Sequence, residues 1–219
     1  MWNGQMILMF FQGILESLYM TLLSSLIAYV IGLPLGILLV VTDKDGIKPS
    51  GRLNSILGVI VNLIRSVPFV ILMVALMPLT RAIIHTTIGP NAVVIPLIIG
   101  SAPYIARLVE SSLKEVDHGV IEAAQSMGAS PLQIIFKVMI PEAMPSLIMG
   151  GAIAVITILS YSAMSGFVGG GGLGSIAINY GYYRNKTDIM LVSILILVLI
   201  VQVFQELGVR WMKHSDKRI

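Results

Sequence analysis

Residues 18–41 run for a full bilayer thickness without one charged side chain, and the chain repeats that pattern. About 20 apolar residues cross a hydrocarbon core as a helix, the form that satisfies its own backbone N–H and C=O groups there. Uncharged stretches also occupy 87–106, 143–168 and 189–205, and 56–79 is interrupted only by Arg65. Composition agrees: 56% of residues are hydrophobic, 11% are charged, and mean hydropathy is +0.92. A soluble domain spends roughly a quarter of its residues on charge. This chain therefore can neither coat a water-soluble globule nor remain disordered. It reads as an all-α integral membrane protein, one domain over residues 1–219, with five transmembrane helices.

Charge placement gives the expected orientation. Lys44, Lys48, Arg52, Arg107, Lys114, Lys137, Arg210, Lys213, Lys217 and Arg218 fall on one side of the five spans, against Arg81, Arg184 and Lys186 on the other. Basic residues accumulate on the cytoplasmic side, so the N-terminus is expected outside and the C-terminus inside. Trp2, Tyr180, Tyr182, Tyr183 and Trp211 fall near the expected interfaces, where amphipathic rings favour the headgroup level. The run 6–11 is too short to cross, and 1–17 is expected to be an external interfacial segment. No Lys or Arg precedes it, so it does not resemble a cleavable signal peptide. The net charge of +3 is scattered among membrane segments and forms no nucleic-acid patch. Zero cysteines excludes disulfides, thiolate metal sites and Cys nucleophiles.

What the spans lack is informative. No Asp or Glu lies inside any of them, Glu16, Glu110 and Glu206 sit at their ends, and His85, His118 and His214 fall in loops or tails. Carriers driven by ion gradients usually need ionisable groups at membrane depth, and a channel needs a polar filter; a small secondary transporter or channel is thus the weaker alternative class. An intramembrane hydrolase would need a base beside Ser165, and none is present. Gly169, Gly171 and Gly174 satisfy G-x-G-x-x-G, but that fingerprint requires a preceding strand; residues 169–172 read instead as a tight or flexible connection. Arg65 is the one charge at apparent membrane depth, and either snorkels or faces a polar path. Gly32, Pro34 and Gly36 in the first span, and Pro68 and Pro78 in the second, suit either ordinary close packing or a bundle that moves.

The stretch between spans three and four carries the strongest local grammar. Asp117 can N-cap a helix running to Met127, and Gly128 suits the left-handed position that ends it. Ser130, Pro131 and Gln133 then restart a helix as N-cap, first residue and capping-box partner. Pro141 and Pro145 mark re-entry into the membrane. Small Ala123 and Ala124 beside Glu122 would let a partner approach closely, although an inert loop helix would look similar.

Glu122-Ala123-Ala124, three residues, Gly128, nine residues, then Val138-Met139-Ile140-Pro141 resembles the EAA loop of bacterial ABC importer permeases. The spacing fits throughout, with Val138 and Ile140 as conservative replacements. The similarity extends over nearly the whole chain: Asn62, Arg65, Pro68 and Phe69, Pro78 and Arg81, Ala102, Pro103 and Arg107, and the run from Tyr161 to Gly174 are similar to the methionine-importer subfamily. The resemblance implies a non-catalytic permease of the bacterial inner membrane. It also implies a coupling helix within 117–142, with Glu122, Ala123, Ala124, Met127, Gly128, Ala129 and Pro141 contacting an ATP-binding subunit. Two such ATPases, a second permease copy and an external substrate-binding protein or lipoprotein are the implied partners. ATP and Mg belong to the ATPase, and no cofactor is expected in this chain. Tyr161, Ser162, Met164 and Ser165, and more distantly Arg65, are the candidates for the substrate path. The other importer reading is another small amino acid or organic solute.

Overall fold

The computed structural model describes residues 4–215. Trp2, Lys217 and Arg218, used above for interface and orientation, lie outside the described residues. Among the described residues eleven α-helices follow one another: α1 Gly4–Val41, α2 Gly51–Ser66, α3 Phe69–Ala75, α4 Met77–Ile84, α5 Pro90–Lys114, α6 His118–Ser126, α7 Pro131–Ile134, α8 Ile140–Glu142, α9 Met144–Met164, α10 Gly172–Ile176 and α11 Thr187–Ser215. A π turn, Ile135–Met139, separates α7 from α8; a second, Ala177–Tyr182, follows α10. A 3-10 turn, Ser165–Val168, closes α9. Among the described residues there is no strand. Among the described residues four helices are long and apolar enough to cross a membrane: Gly4–Val41, Pro90–Lys114, Met144–Val168 with its 3-10 turn, and Thr187–Ser215; α2 and α3 make a fifth if they form one broken span.

The helices differ from the expected spans at four places. Residues 4–17 are not a separate element: α1 runs unbroken for 38 residues, nearly twice the roughly 20 that cross a bilayer. Nothing between Met6 and Leu18 ends a helix, since Gly13 is isolated and no proline intervenes. The second span is divided, with Val67 and Pro68 outside any helix and Pro68 capping α3 at φ −55, ψ 133. Proline disfavours helical backbone in the residue before it, so α2 stops at Ser66. The third and fifth spans continue to Lys114 and Ser215, because Arg, Lys and Glu are good helix formers once outside the apolar stretch.

The chain forms two compact units. One contains residues up to Ala28 with Val67–Ser101 and Val155–Gln205; the other contains Tyr29–Ser66, Ala102–Ala154 and the residues from Glu206 on. In the first, Phe10, Leu173, Ile176 and Ile189 form the buried centre, joined by Met6, Met9 and Ile14 of α1 and Val192, Ile196 and Ile200 of α11. In the second, Leu39, Val61 and Ala106 bring α1, α2 and α5 together. Lipid is as apolar as leucine, so helix pairing inside a bilayer depends on close packing. Gly32 and Gly36 supply it: a Cβ at Gly32 would lie 2.7 Å from the Ala102 carbonyl oxygen, and one at Gly36 2.6 Å from that of Ala106. Their four-residue spacing puts both on one ridge of α1, against the backbone of α5.

Candidate functional site

The segment from Asp117 to Ala143 folds as its local chemistry dictates. The Asp117 carboxylate accepts from the Gly119 N–H at 2.6 Å and caps α6. At the other end, the Ala129 N–H donates to the Ala124 carbonyl at 3.1 Å and the Gly128 N–H to that of Gln125 at 2.9 Å. These are the paired bonds of a Schellman ending, and Gly128, at φ +79, occupies its left-handed position. The next helix starts at once. Ser130 Oγ accepts from the Gln133 N–H, Gln133 Oε1 accepts from the Ser130 N–H at 2.8 Å, and Pro131 takes the first helical position. Pro141 brings no N–H for the Lys137 carbonyl, and just before it the backbone widens into the π turn over Ile135–Met139, where the Ile140 N–H donates to the Ile135 carbonyl.

The two alanines of the motif do different jobs. Ala124 and Ile121 are buried, whereas Glu122, Ala123, Gln125, Ser126 and Met127 are exposed. Val120, Ala123 and Met127 share one face of α6 by their spacing of three and four, and Met127 is 82% exposed. Leu132 and Phe136 are also exposed, at 67% and 60%. Val120, Leu132 and Phe136 are additions that the three-letter motif did not mark; the helical spacing of Val120 with Ala123 and Met127 was the available signal. Ala129 is half-buried and serves the Schellman turn, and Pro141 lies in α8.

Beside α6 lies an open cleft of about 450 Å³. Glu122, Gln125 and His118 form one wall, Asp43, Lys44, Asp45 and Gly46 another, and Leu113, Val116 and Met139 contribute apolar floor. Asp43 accepts from Lys114 Nζ at 2.7 Å and from the Lys44 N–H at 2.8 Å, and these donors hold its carboxyl below the usual 3.8. Lys114 also pairs with Glu110 at 3.0 Å, Glu110 with Arg107, and Arg107 reaches the Asn62 side chain at 2.9 Å. Two of the basic residues used for orientation are thus joined in a polar chain linking α2, α5 and the α1–α2 loop.

The residues expected along the path behave differently from one another. Tyr161 stacks on Phe69, with ring centroids 4.4 Å apart and planes within 5°. The Ser162 and Ser165 hydroxyls donate to the carbonyls of Leu159 and Ser162, at 2.7 and 2.6 Å. Both serines are buried, at 1% and 0% exposure, so their hydroxyls are spent inside their own helix. Met164 is exposed. Arg65 is exposed in the last turn of α2, with no hydrogen bond or ion pair among the described residues. Glu16 lies well inside α1, and its carboxylate binds backbone, as described below.

Comparison with known proteins agrees with this architecture. Residues 32–219 match the family described as "Binding-protein-dependent transport system inner membrane component". The chain is 47% identical over 203 residues to the probable D-methionine transport system permease protein MetI of Vibrio cholerae, covering 93% of this chain and 90% of that one. It is 46% identical over 181 residues to the methionine import system permease protein MetP of Bacillus subtilis, covering 83% and 82%. A solved structure showing inward-facing conformations of the MetNI methionine ABC transporter contains a chain similar to it at TM-score 0.96 and 42% identity, covering 99% of this chain and all of that one.

Proposed function

The chain belongs to the family of inner membrane components of binding-protein-dependent transport systems, and from that premise we propose that it is the membrane-spanning permease of an ATP-driven methionine importer. The substrate reading rests on relatives named for methionine transport over most of the chain, at 47% and 46% identity. The coupling reading rests on one observation above the others: α6 leaves Val120, Ala123 and Met127 uncovered as a single face, next to the exposed carboxylate of Glu122. Uncovered apolar side chains on a polar loop mark a contact surface.

In this reading the N-terminus is outside and the loop 117–142 faces the cytoplasm. Two ATPase subunits seat the paired α6 helices of a permease homodimer, and an external binding protein delivers substrate. ATP and Mg are held by the ATPases, and this chain contributes no catalytic group. ATP binding draws the two coupling helices together and opens the bundle outward; hydrolysis resets it. A partner shifts the balance only by its differential affinity for the two states, so both must lie within a few kcal/mol. Methionine, a zwitterion with a thioether tail, requires an apolar path with few polar handles. Tyr161 and Met164 present the side chains suited to it, Ser162 and Ser165 shape the helix that carries them, and Arg65 is the distant candidate for the substrate carboxylate.

The test is purification from the membrane in mild detergent, identifying bound chains by mass and bound solute by chromatography. Two copies each of permease and an ATP-binding subunit, with methionine transported on reconstitution, are expected. A complex that lacks any ATP-binding chain would refute the coupling, and one transporting a different solute only would refute the substrate.

A further inference from the structure

The connection between α9 and α10 is tied down by α1. Three consecutive amides, those of Gly171, Gly172 and Leu173, donate to Ser175 Oγ at 3.0 Å, Glu16 Oε2 at 2.7 Å and Ser17 Oγ at 2.9 Å. The other Glu16 oxygen accepts from Gln12 Nε2 at 2.8 Å. On the near side of the connection, the Gly170 N–H donates to the Ser165 carbonyl at 2.9 Å, and Gly89 donates to the Gly169 carbonyl at 2.9 Å. The fit is close: a Cβ on Gly171 would come 2.7 Å from Glu16 Oε2, and one on Gly172 would come 2.6 Å from Ser17 Oγ, so either would displace the acceptor it faces. Both glycines have positive φ, +86 and +75.

A neutral acceptor could cap these amides. Glu16 is the one charged residue of α1 and is half-buried; its carboxylate carries a desolvation cost and returns it as a charge-assisted bond about twice as strong as a neutral one. What that bond holds is the first turn of α10, seven residues beyond Ser165, and the Gly170 N–H bond to the Ser165 carbonyl ties that connection to the end of the helix that bears Tyr161 and Met164. We propose that Glu16, seconded by Ser17, is a positioning residue for transport: it fixes the end of α9 by holding the first amides of α10, and so sets the register in which residues 161–165 meet substrate. Glu16 acts through Gly172 and touches no substrate. The inference rests on the importer reading above.

The experiment uses the complete complex, permease with ATPase and binding protein, in proteoliposomes, comparing Glu16→Ala, Glu16→Gln and Ser17→Ala. Two quantities are read: methionine imported per ATP hydrolysed, and hydrogen exchange at the amides of Gly172 and Leu173. In Glu16→Ala, exchange at Gly172 should rise by about ten- to a hundred-fold, as expected for one lost bond to a charged group. Import per ATP should fall at least about tenfold in step with it. The maximal rate should carry that loss, with the half-saturating concentration of loaded binding protein and the basal ATP hydrolysis unchanged. Glu16→Gln keeps an accepting oxygen without the charge and should fall between wild type and Glu16→Ala in both; Ser17→Ala should give a smaller loss of the same kind, and decides the matter if Glu16→Ala does not assemble. Wild-type import per ATP in Glu16→Ala or Ser17→Ala despite faster exchange overturns the proposal, as does unchanged exchange. If the wild-type complex moves no methionine, the importer reading fails instead, and exchange alone then decides whether Glu16 holds this segment.

Discussion

Replacing Gly128 isolates a purely conformational effect, because a Cβ built on it meets nothing within 4 Å while its φ is +79. The cost of a substitution is therefore that of holding an L residue in left-handed backbone, about 1–2 kcal/mol for residues other than Asn and Asp. Alanine falls at the lower end of that range. Valine, whose branched Cβ meets its own backbone in this region, falls at or above about 2 kcal/mol. Asparagine tolerates the conformation and should behave nearly as glycine. At roughly 1.4 kcal/mol per factor of ten, Gly128→Val tilts the turn by about thirty-fold and Gly128→Ala by about five-fold. The Schellman bonds of Gly128 and Ala129 are what orient α6 against α7, so loosening them should lower the yield of co-purified ATPase and the uptake that depends on it. Helix content by circular dichroism should not change. The assay is uptake and ATPase recovery across the series Gly, Asn, Ala, Val. Equal function in Gly128→Val, or an alanine variant as impaired as the valine one, would refute the backbone argument.

Other substitutions probe separate parts of the account. Met127→Asp, on a side chain 82% exposed, should reduce ATPase co-purification while leaving membrane insertion and thermal stability within about 0.5 kcal/mol of wild type. Glu122→Lys should weaken the same docking, and unchanged recovery would remove Glu122 from the interface. Gly36→Ala forces a Cβ to 2.6 Å from the Ala106 carbonyl oxygen and should destabilise the purified protein by about 1–3 kcal/mol, the usual cost of overpacking, seen as a lowered melting temperature in detergent. Asp43→Asn tests the ion pair with Lys114. Because the folded carboxyl is held below 3.8, the pair stabilises above that pH and its contribution disappears as pH falls through the lowered folded value. The variant should thus melt slightly lower than wild type at neutral pH, by less than about 1 kcal/mol for so exposed a pair, with the difference closing under acid.

The sequence was most readable where a residue's own backbone chemistry decides its role. Asp117, Gly128, Ser130, Pro131 and Gln133 each took the position their capping and turn properties demand, since those interactions involve neighbours within three or four residues. Membrane spans were legible from apolar length, but their ends were not. Charged residues continue α5 to Lys114 and α11 to Ser215 without breaking the helix, so the edge of the apolar stretch is not the edge of the element. Long-range partners were invisible for a different reason. Glu16 meets Gly172 across 156 positions, and no local pattern encodes such a meeting; the one hint was a lone carboxylate near an apolar run. The roles of Ser162 and Ser165 were open because a helical serine can bond to its own carbonyls or face outward, and only the rotamer, set by packing, selects the former.

The central claim is that this chain supplies a path and no power. Purified permease alone, in sealed liposomes with radiolabelled methionine outside, is predicted to build no gradient, whereas vesicles that also carry its ATP-binding subunit and binding protein should concentrate the label when given ATP. Uphill accumulation by the permease alone would contradict the account.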